Sequence, residues 1–470
     1  MTVGRRLRVS VCRLAILVLL GLFPASLVYA QFDSLLLKPK PPGSTGAYVV
    51  EAPRKYTAPL WRAAHVYSLP EAIDTALAND LKLQSLALES QTTDVAGKIN
   101  LLKTSPSIGY KGEVYYAPNT PHFGYDPAMS NGGDVAAQLT AEKLIYDGGR
   151  ANIASQQNAL DLAHLNKEIE IERADVIRAV TEAYVDVVRT SQEVVLDSAT
   201  LEESIRTLDL VARLEAGGAS SMSDLLASRS DVNRSTLQLA QSVSAAIVAR
   251  YSFAIAMGRP ADSLANAVSS LDSILAASEA IAPVADSVLS LDRALGKIDL
   301  DKANLDILAA HAEAKPTITL LGDAGVWSSM DNLFASAEDR QHFLGASINL
   351  NIVGPIFDAG VNDLLVEQKT AEAANVRVQN AIAARTVQTE LARVRLNLRQ
   401  LRSNLTLARE AIRLASESYD RTLEVFAGGR ASFNDVLTAR KQYIDSRRTV
   451  LQILSDISAS QAELTRLNAH

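Results

Sequence analysis

Tyr146-Asp147-Gly148-Gly149 and Phe357-Asp358-Ala359-Gly360 stand 211 residues apart, and that spacing is where the fold becomes readable. At the same offset Glu215-Ala216-Gly217-Gly218-Ala219-Ser220 returns as Phe426-Ala427-Gly428-Gly429-Arg430-Ala431, and Asp224-Leu225-Leu226 returns as Asp435-Val436-Leu437. Pro106-Ser107-Ile108 matches Pro316-Thr317-Ile318 at 210. Landmarks held in one register mark a tandem duplication, with halves at about 68–260 and 286–468. Each half reads as short helix, strand, loop, strand, very long helix, Gly-Gly turn and medium helix.

The long helices follow from what is missing: residues 151–214 and 361–427 contain neither proline nor glycine. At ~1.5 Å per residue each would run roughly 95–100 Å. Helices of that length need lateral support. The second half supplies a seam, with Leu391, Val394, Leu398, Leu401, Leu405, Ala408, Ile412, Ala415, Tyr419, Thr422 and Phe426 alternating spacings of three and four. That is the period of a coiled coil rather than of a straight helix. In the first half the same register gives Val180, Ala183, Val187, Thr190, Val194, Asp197, Leu201, Ser204, Leu208, Val211 and Glu215, a more polar seam. The return helix carries Val436, Tyr443, Val450, Ile457 and Leu464, each seven apart. A double-glycine turn makes each long helix and its return helix antiparallel neighbours.

The strands are expected at about 107–116, 135–146, 317–327 and 343–353. Ile108, Tyr110, Gly112, Val114 and Tyr116 alternate with a polar parity, as do Ala137, Leu139 and Ala141. Ile318, Leu320, Gly322, Ala324 and Val326, then Leu344, Ala346, Ile348, Leu350 and Ile352, repeat the pattern. About ten residues is the length of a tilted membrane strand, and one apolar side with one polar side suits lipid outside and a wet lumen within. Aromatics near the strand ends (Tyr115, Tyr116, Trp327 and Phe343 at one, Tyr146 and Phe357 at the other) suggest an interfacial girdle. Four strands cannot close a barrel, and open edges in lipid leave backbone groups unpaired at several kcal/mol each. Three copies would give twelve strands, which makes a homotrimer the expectation from closure.

Composition narrows the rest. The chain has 470 residues, is 48% apolar with only 5% aromatics, and carries a formal charge of −7. That excludes wholesale disorder and argues against nucleic-acid binding, which needs a concentrated basic face. Arg5, Arg6, Arg8 and Arg13 precede the apolar run Leu14–Leu22, and small residues Val28 and Ala30 follow. This is a secretory leader over 1–30, expected to be cleaved after Ala30. Its removal takes four arginines and no acids, moving the charge from −7 to −11. Cys12, the only cysteine, goes with it and leaves no disulfide, thiol chemistry or Cys-ligated zinc. No run after residue 30 reads as apolar for long enough to make a transmembrane helix. Residues 31–67, with Pro39, Pro41, Pro42, Pro53 and Pro59, read as an extended arm, and 261–285 as a linker between the repeats.

These features converge on one family. Leu69-Pro70-Glu71-Ala72-Ile73 with Ala76-Leu77, the strand-to-helix signatures Leu144–Gly149 and Pro355–Gly360, and the Gly-x-x-Ser-x-x-Asp turns Gly218–Asp224 and Gly429–Asp435 resemble those of TolC-type outer-membrane efflux and secretion proteins. The resemblance covers about 68–468. It implies a trimeric duct in the outer membrane of a Gram-negative bacterium, with a shared twelve-stranded transmembrane β-barrel. A long α-helical coiled-coil barrel would cross the periplasm to a periplasmic adaptor protein and an inner-membrane transporter. It would serve efflux or type I secretion.

The resemblance also points to residues. It places Asp435 at a constricted entrance as the pore gate, with Thr438 one turn on where the family often has a second carboxylate. It brings Ser223 and Asp224 of one hairpin tip toward Phe426 of the other, where the family often has Tyr. Phe426 lacks that hydroxyl, and Arg430 could replace the bond by pairing with Asp224. Simple helix capping is the competing role for Asp224 and Asp435. Gly217, Gly218, Gly428 and Gly429 form the turns, and Asp147, Gly148, Gly149, Pro355, Asp358 and Gly360 the strand-to-helix corners. The six histidines fall in no ligand spacing, and no nucleophile–base pair or phosphate loop is readable, so no metal, cofactor or enzymatic activity is expected. The alternative reading is a periplasmic adaptor of the membrane-fusion type with long coiled-coil hairpins, which would need a lipoyl-like β domain. An extracellular structural coiled-coil protein is a third.

Overall fold

The computed structural model describes residues 65–117, 132–260, 264–267, 291–330 and 341–467. The leader 1–30, nearly all of the arm 31–67 and most of the linker 261–285 lie outside these residues. Ser68 opens the first helix, α1 (Leu69–Asn79), through a capping box. Its Oγ accepts from the Glu71 N–H, and the Glu71 carboxylate accepts from the Ser68 N–H. Asp80 ends α1 and caps α2 (Leu81–Leu102), its carboxylate accepting the Leu83 N–H at 2.7 Å. The chain then forms β2 (Ser107–Ala117), β3 (Gly132–Tyr146), the 67-residue α3 (Arg150–Ala216) and α4 (Met222–Ala256). The second repeat gives α5 (Leu291–Glu313), β5 (Thr317–Met330), β6 (Gln341–Val353), α6 (Val361–Ala427), again of 67 residues, and α7 (Phe433–Leu467).

The two corners are built alike. Asp147 accepts the N–H groups of Gly149 at 2.9 Å and Ala151 at 2.6 Å, and Asp358 accepts those of Gly360 and Asn362, both at 3.0 Å. Each carboxylate thus satisfies free donors at the start of a 67-residue helix and meets its dipole. Those backbone hydrogen bonds hold the Asp358 carboxyl below the usual carboxylate range. A Cβ on Gly148 would come within 2.7 Å of the Lys315 Cβ, whereas its counterpart Ala359 keeps a side chain at φ 53°. Arg150, whose counterpart is Val361, donates to Thr317 Oγ1 and to the carbonyls of Glu313 and Lys315. This arginine ties the second repeat to the first.

The four strands form one antiparallel sheet in the order β2-β3-β5-β6, leaving β2 and β6 as free edges among the described residues. They run 11, 15, 14 and 13 residues, longer than the ten expected, because the pairing continues past the aromatic positions. Register puts apolar opposite apolar in every pair: Tyr110 faces Leu139, Leu139 faces Ala324, Ala324 faces Ala346, and Ile318 faces Ile352. The other face pairs Lys111 with Gln138, Thr140 with Asp323, and Asp323 with Ser347. Ile108, Tyr110, Leu344 and Ile348 are more than four-fifths exposed on the apolar face, an arrangement that water does not reward. One basic residue shares it: Lys143 lies opposite Leu320, and its Nζ donates to the Thr104 carbonyl. Leu320 and Leu350 therefore sit beside a native lysine near the helix-side end of the strands rather than at their middle.

The helices pack in the order of the strands. Along the half next to the sheet, α2 packs on α3, α3 on α5 and α5 on α6; along the far half, α4 packs on α3, α3 on α7 and α7 on α6. The ends of α1 and α4 meet, where Asn79 Nδ2 donates to the Met257 carbonyl at 3.3 Å. Every seam position of α3, α6 and α7 named above is buried or half-buried. Helix α4 is long and apolar enough, by length and composition, to cross a membrane, contrary to the expectation from the sequence. Its apolar content is distributed instead: Leu225, Val232, Ala246, Ala249 and Phe253 are buried, along with the charged Asp231 and Arg250.

A two-residue parallel pairing went unread in the sequence. β1 (Val66–Tyr67), at the end of the arm, pairs with β4 (Asn266–Ala267), at the start of the linker. Tyr67 is buried with Phe253 and Met257 in the larger apolar cluster. The two segments outside the repeat therefore meet each other there.

Candidate functional site

The far ends of the two hairpins are where the sequence placed the site, and each turn there is a Schellman closure. The Ala219 N–H donates to the Leu214 carbonyl at 2.8 Å and Gly218 to Glu215 at 2.9 Å. Arg430 donates to Val425 at 3.0 Å and Gly429 to Phe426 at 2.9 Å. Gly218 at φ 75° and Gly429 at φ 72° take the left-handed step, while Gly217 and Gly428 cap the long helices. Ser221 and Ser432 then start the return helices. Asp224 accepts from the Ser221 N–H at 3.1 Å and from the hydroxyls of Ser220 and Ser221, and Asp435 accepts from the Ser432 N–H at 3.0 Å and hydroxyl at 2.9 Å. The Ser221 hydrogen bonds hold the Asp224 carboxyl below its ordinary range. Both predicted acids therefore cap helices, and Asp435 is exposed as well. Thr438 is exposed and donates its hydroxyl to the Asn434 carbonyl.

Phe426 is buried and meets Phe433 at 5.8 Å between ring centroids, in an apolar cluster with Val211, Leu225, Tyr419, Val436 and Ala439. Ser223 and Arg430 are exposed. Within one chain Arg430 forms no ion pair with Asp224, whose carboxylate is occupied by its own cap. The structure does not join these four residues into one bonded group.

Several bonds between the hairpins lie further up. Tyr419 OH donates to the Glu203 carboxylate, and burial first, then that carboxylate, push the phenol above its ordinary range. The Arg440 guanidinium pairs with Asp231 and donates to Ser204 Oγ at 2.9 Å; the side chains of Arg440 and Asp231 are each 6% exposed. Ser204 Oγ lies 2.9 Å from Ser235 Oγ. Arg448 Nη2 donates to Asp197 at 2.5 Å. Sequence reasoning missed Arg440, Arg448 and Asp231. The available signal was the polarity of the first-repeat seam, where Asp197 and Ser204 stand at positions that hold Ala408 and Ala415 in the second.

The described part of the chain superposes on known channels over most of its length. The crystal structure of CusC, reported for its folding and transmembrane channel formation, matches with a TM-score of 0.73 at 16% identity, covering 86% of this chain and 92% of that one. VceC, an outer membrane protein of Vibrio cholerae, matches at 0.70 and 16% identity over 85% and 96%. The CmeC outer membrane channel of Campylobacter jejuni matches at 0.71 and 15% identity over 85% of each chain. The fold is that of the TolC-type outer-membrane channels. No protein-family model and no curated protein sequence matches the chain. At 15–16% identity the likeness lies in the fold rather than in residue-for-residue correspondence. Among the described residues no three His, Cys, Asp or Glu side chains converge on a metal-sized site. His65 pairs instead with Glu71 at 2.9 Å, and His164 approaches Asp299 at 3.4 Å.

Proposed function

We propose that three copies of this chain form a duct in the outer membrane of a Gram-negative bacterium. The duct receives cargo from a periplasmic adaptor protein and an inner-membrane transporter and performs no catalysis. The observation that carries the reading is that sheet and helical wall end in unpartnered edges on the same two sides. Among the described residues β2 and β6 have free backbone edges, and an open edge in lipid costs several kcal/mol per unpaired group. Beside β2, α2 exposes Leu81, Leu88, Val95 and Leu102, each seven apart. Beside β6, α6 exposes Val361, Leu364, Val378, Ile382 and Leu396. Three copies joined edge to edge close twelve strands and bury both apolar stripes; two give a barrel of eight with less lumen. The neighbours are channels of the same fold, which supports transport over the adaptor alternative. That alternative needs a lipoyl-like domain, and the described strands form a single four-stranded sheet and a two-residue pairing.

The test is direct. Protein extracted from outer membranes in detergent should have the mass of three mature chains by light scattering and should give discrete conductance steps in planar bilayers. A monodisperse monomer, or a trimer fractionating with inner membranes, would sink the reading.

A further inference from the structure

Lys143 stands where the strand pattern calls for an apolar side chain. Leu320 and Leu350 complete its row on the outward face, and apolar rows flank it on both sides. Ala141, Gly322 and Ile348 lie toward the middle of the strands, and Tyr146, Ile318 and Ile352 toward the helices. A lysine among side chains that meet lipid has to carry its ammonium to headgroup level. Here it turns toward the helices, where Nζ donates to the Thr104 carbonyl at 3.0 Å, in the turn between α2 and β2. An ammonium has three donors, and among the described residues that carbonyl is the one acceptor it meets. Lys103, the C-cap of α2 and the residue before Thr104, adds a second, exposed ammonium. Its described partner is the Asn100 side-chain oxygen at 3.2 Å.

Among the described residues neither ammonium has a carboxylate, which sets the pair apart in this chain. Lys82, Lys98, Lys111, Lys167, Lys302 and Lys369 each pair with an Asp or Glu. The acids at this rim of the sheet are committed elsewhere. Asp147 accepts the N–H groups of Gly149 and Ala151, Glu313 lies beside Arg150, and Glu142, opposite Ser107, belongs to the polar face. The second repeat does not reproduce the pair. The counterpart of Lys143 is Gly354, where a Cβ would come within 3.0 Å of Pro316, and that of Lys103 is Ala314. Its own lysine, Lys315, stands where Thr104 does in the first repeat and donates to the Gly148 carbonyl at 3.4 Å. The duplicated corner therefore does not require two free ammoniums, and the chain has them at one corner of the two.

We infer that Lys143 and Lys103 bind the phosphodiester of an anionic phospholipid whose acyl chains lie along the outward face. Phosphate oxygens accept charge-assisted hydrogen bonds from both ammoniums, and at headgroup depth a lipid phosphate is the anion within reach. The acyl chains then cover Ile348 and Leu350, both exposed beside the lysine row. The site rests on the placement of this face in lipid. It depends on neither the number of copies nor the cargo, and its test counts lipid per chain.

Purified, delipidated protein in a neutral detergent is incubated with equal amounts of phosphatidylglycerol and phosphatidylcholine, and retained lipid is counted by native mass spectrometry. The parent should retain phosphatidylglycerol about fivefold or more over phosphatidylcholine. Lys143→Gln should bring that ratio near one, whereas Lys143→Arg should keep it. Lys441→Gln, an exposed change on α7, should keep it as well. Lys103→Gln should lower it about twofold, and carries the test if Lys143→Gln does not fold. Replacing chloride by sodium phosphate at constant ionic strength should leave the lipid bound. Loss of lipid to inorganic phosphate would make this a plain anion site and overturn the proposal. So would an unchanged ratio in Lys143→Gln with lowered thermal stability, the result for a lysine that only ties strand to turn, or an equal loss in Lys441→Gln. A parent that retains neither lipid takes this face out of the membrane, and one that retains both equally leaves the face there without the site; either outcome overturns it.

Discussion

Asp435 shows how one residue can hold two roles with separable consequences. Its carboxylate accepts the N–H and hydroxyl of Ser432, the reciprocal half of a capping box, while its exposure leaves charge free to act on a passing ion. In a threefold duct, three such charges would converge and favour cations. Asp435→Asn keeps a side-chain oxygen for the cap and removes the charge. The expected outcome is a melting temperature within a few degrees of the parent, with reduced cation selectivity and weaker block by multivalent cations in planar bilayers. Unchanged selectivity with a lowered melting temperature would leave the residue only its cap. The capping role was legible because Ser, two residues and Asp after a Gly-Gly turn is a local pattern. The bond between Arg440 and Asp231 was not, because it joins residues 209 apart whose counterparts in the other repeat are Arg229 and Gln442. Period locates a buried polar position, but it does not name the partner across a tertiary contact.

At the scale of elements, alternation decided the strands and their faces, since shifting a strand by one residue would reverse every side chain. It could not decide their ends. Pairing extends through Ala117, up to Pro118, and from Gly132, so it runs past the last residues whose alternation marks a strand. The helix seams were legible over their whole length because a period of seven admits few alternatives, whereas the two-residue pairing of β1 with β4 is too short for any period. Lys143 changes how the outward face is best tested. A lysine at Leu350 joins a row already holding Lys143 and Leu320 near the strand ends, where a charge reaches the interface. Ile348, opposite Gly322, lies mid-strand and four-fifths exposed on the apolar face. Ile348→Lys should cost about 2–4 kcal/mol in lipid and sharply lower the oligomer recovered in detergent. Leu350→Lys should cost less, and Ser347→Lys, on the polar face, should be tolerated. Equal recovery of all three would remove the outward assignment of that face.

For the whole molecule, duplication supplies two hairpins and four strands but no closed surface, and the remaining apolar stripes specify what must close it. On α2 the heptad Leu81, Leu88, Val95 and Leu102 has no partner among the described residues, although burying one such side chain contributes about 1.5–3 kcal/mol. In the proposed trimer three identical interfaces would multiply that contribution, so assembly should depend steeply on single positions in the stripe. A carboxylate at Leu88 or Leu102 would have to be buried without a partner once the copies join, yet it costs the separate chain little because both positions are already exposed. Leu88→Asp with Leu102→Asp should therefore leave the helical circular dichroism of detergent-solubilised protein near that of the parent, while shifting its mass by light scattering from three chains toward one. Glu89→Lys, an exposed change on the same helix away from the stripe, should keep the oligomer. If the double variant remains fully assembled, α2 does not face a neighbouring copy, and closure would have to be carried by the strand edges and α6 alone.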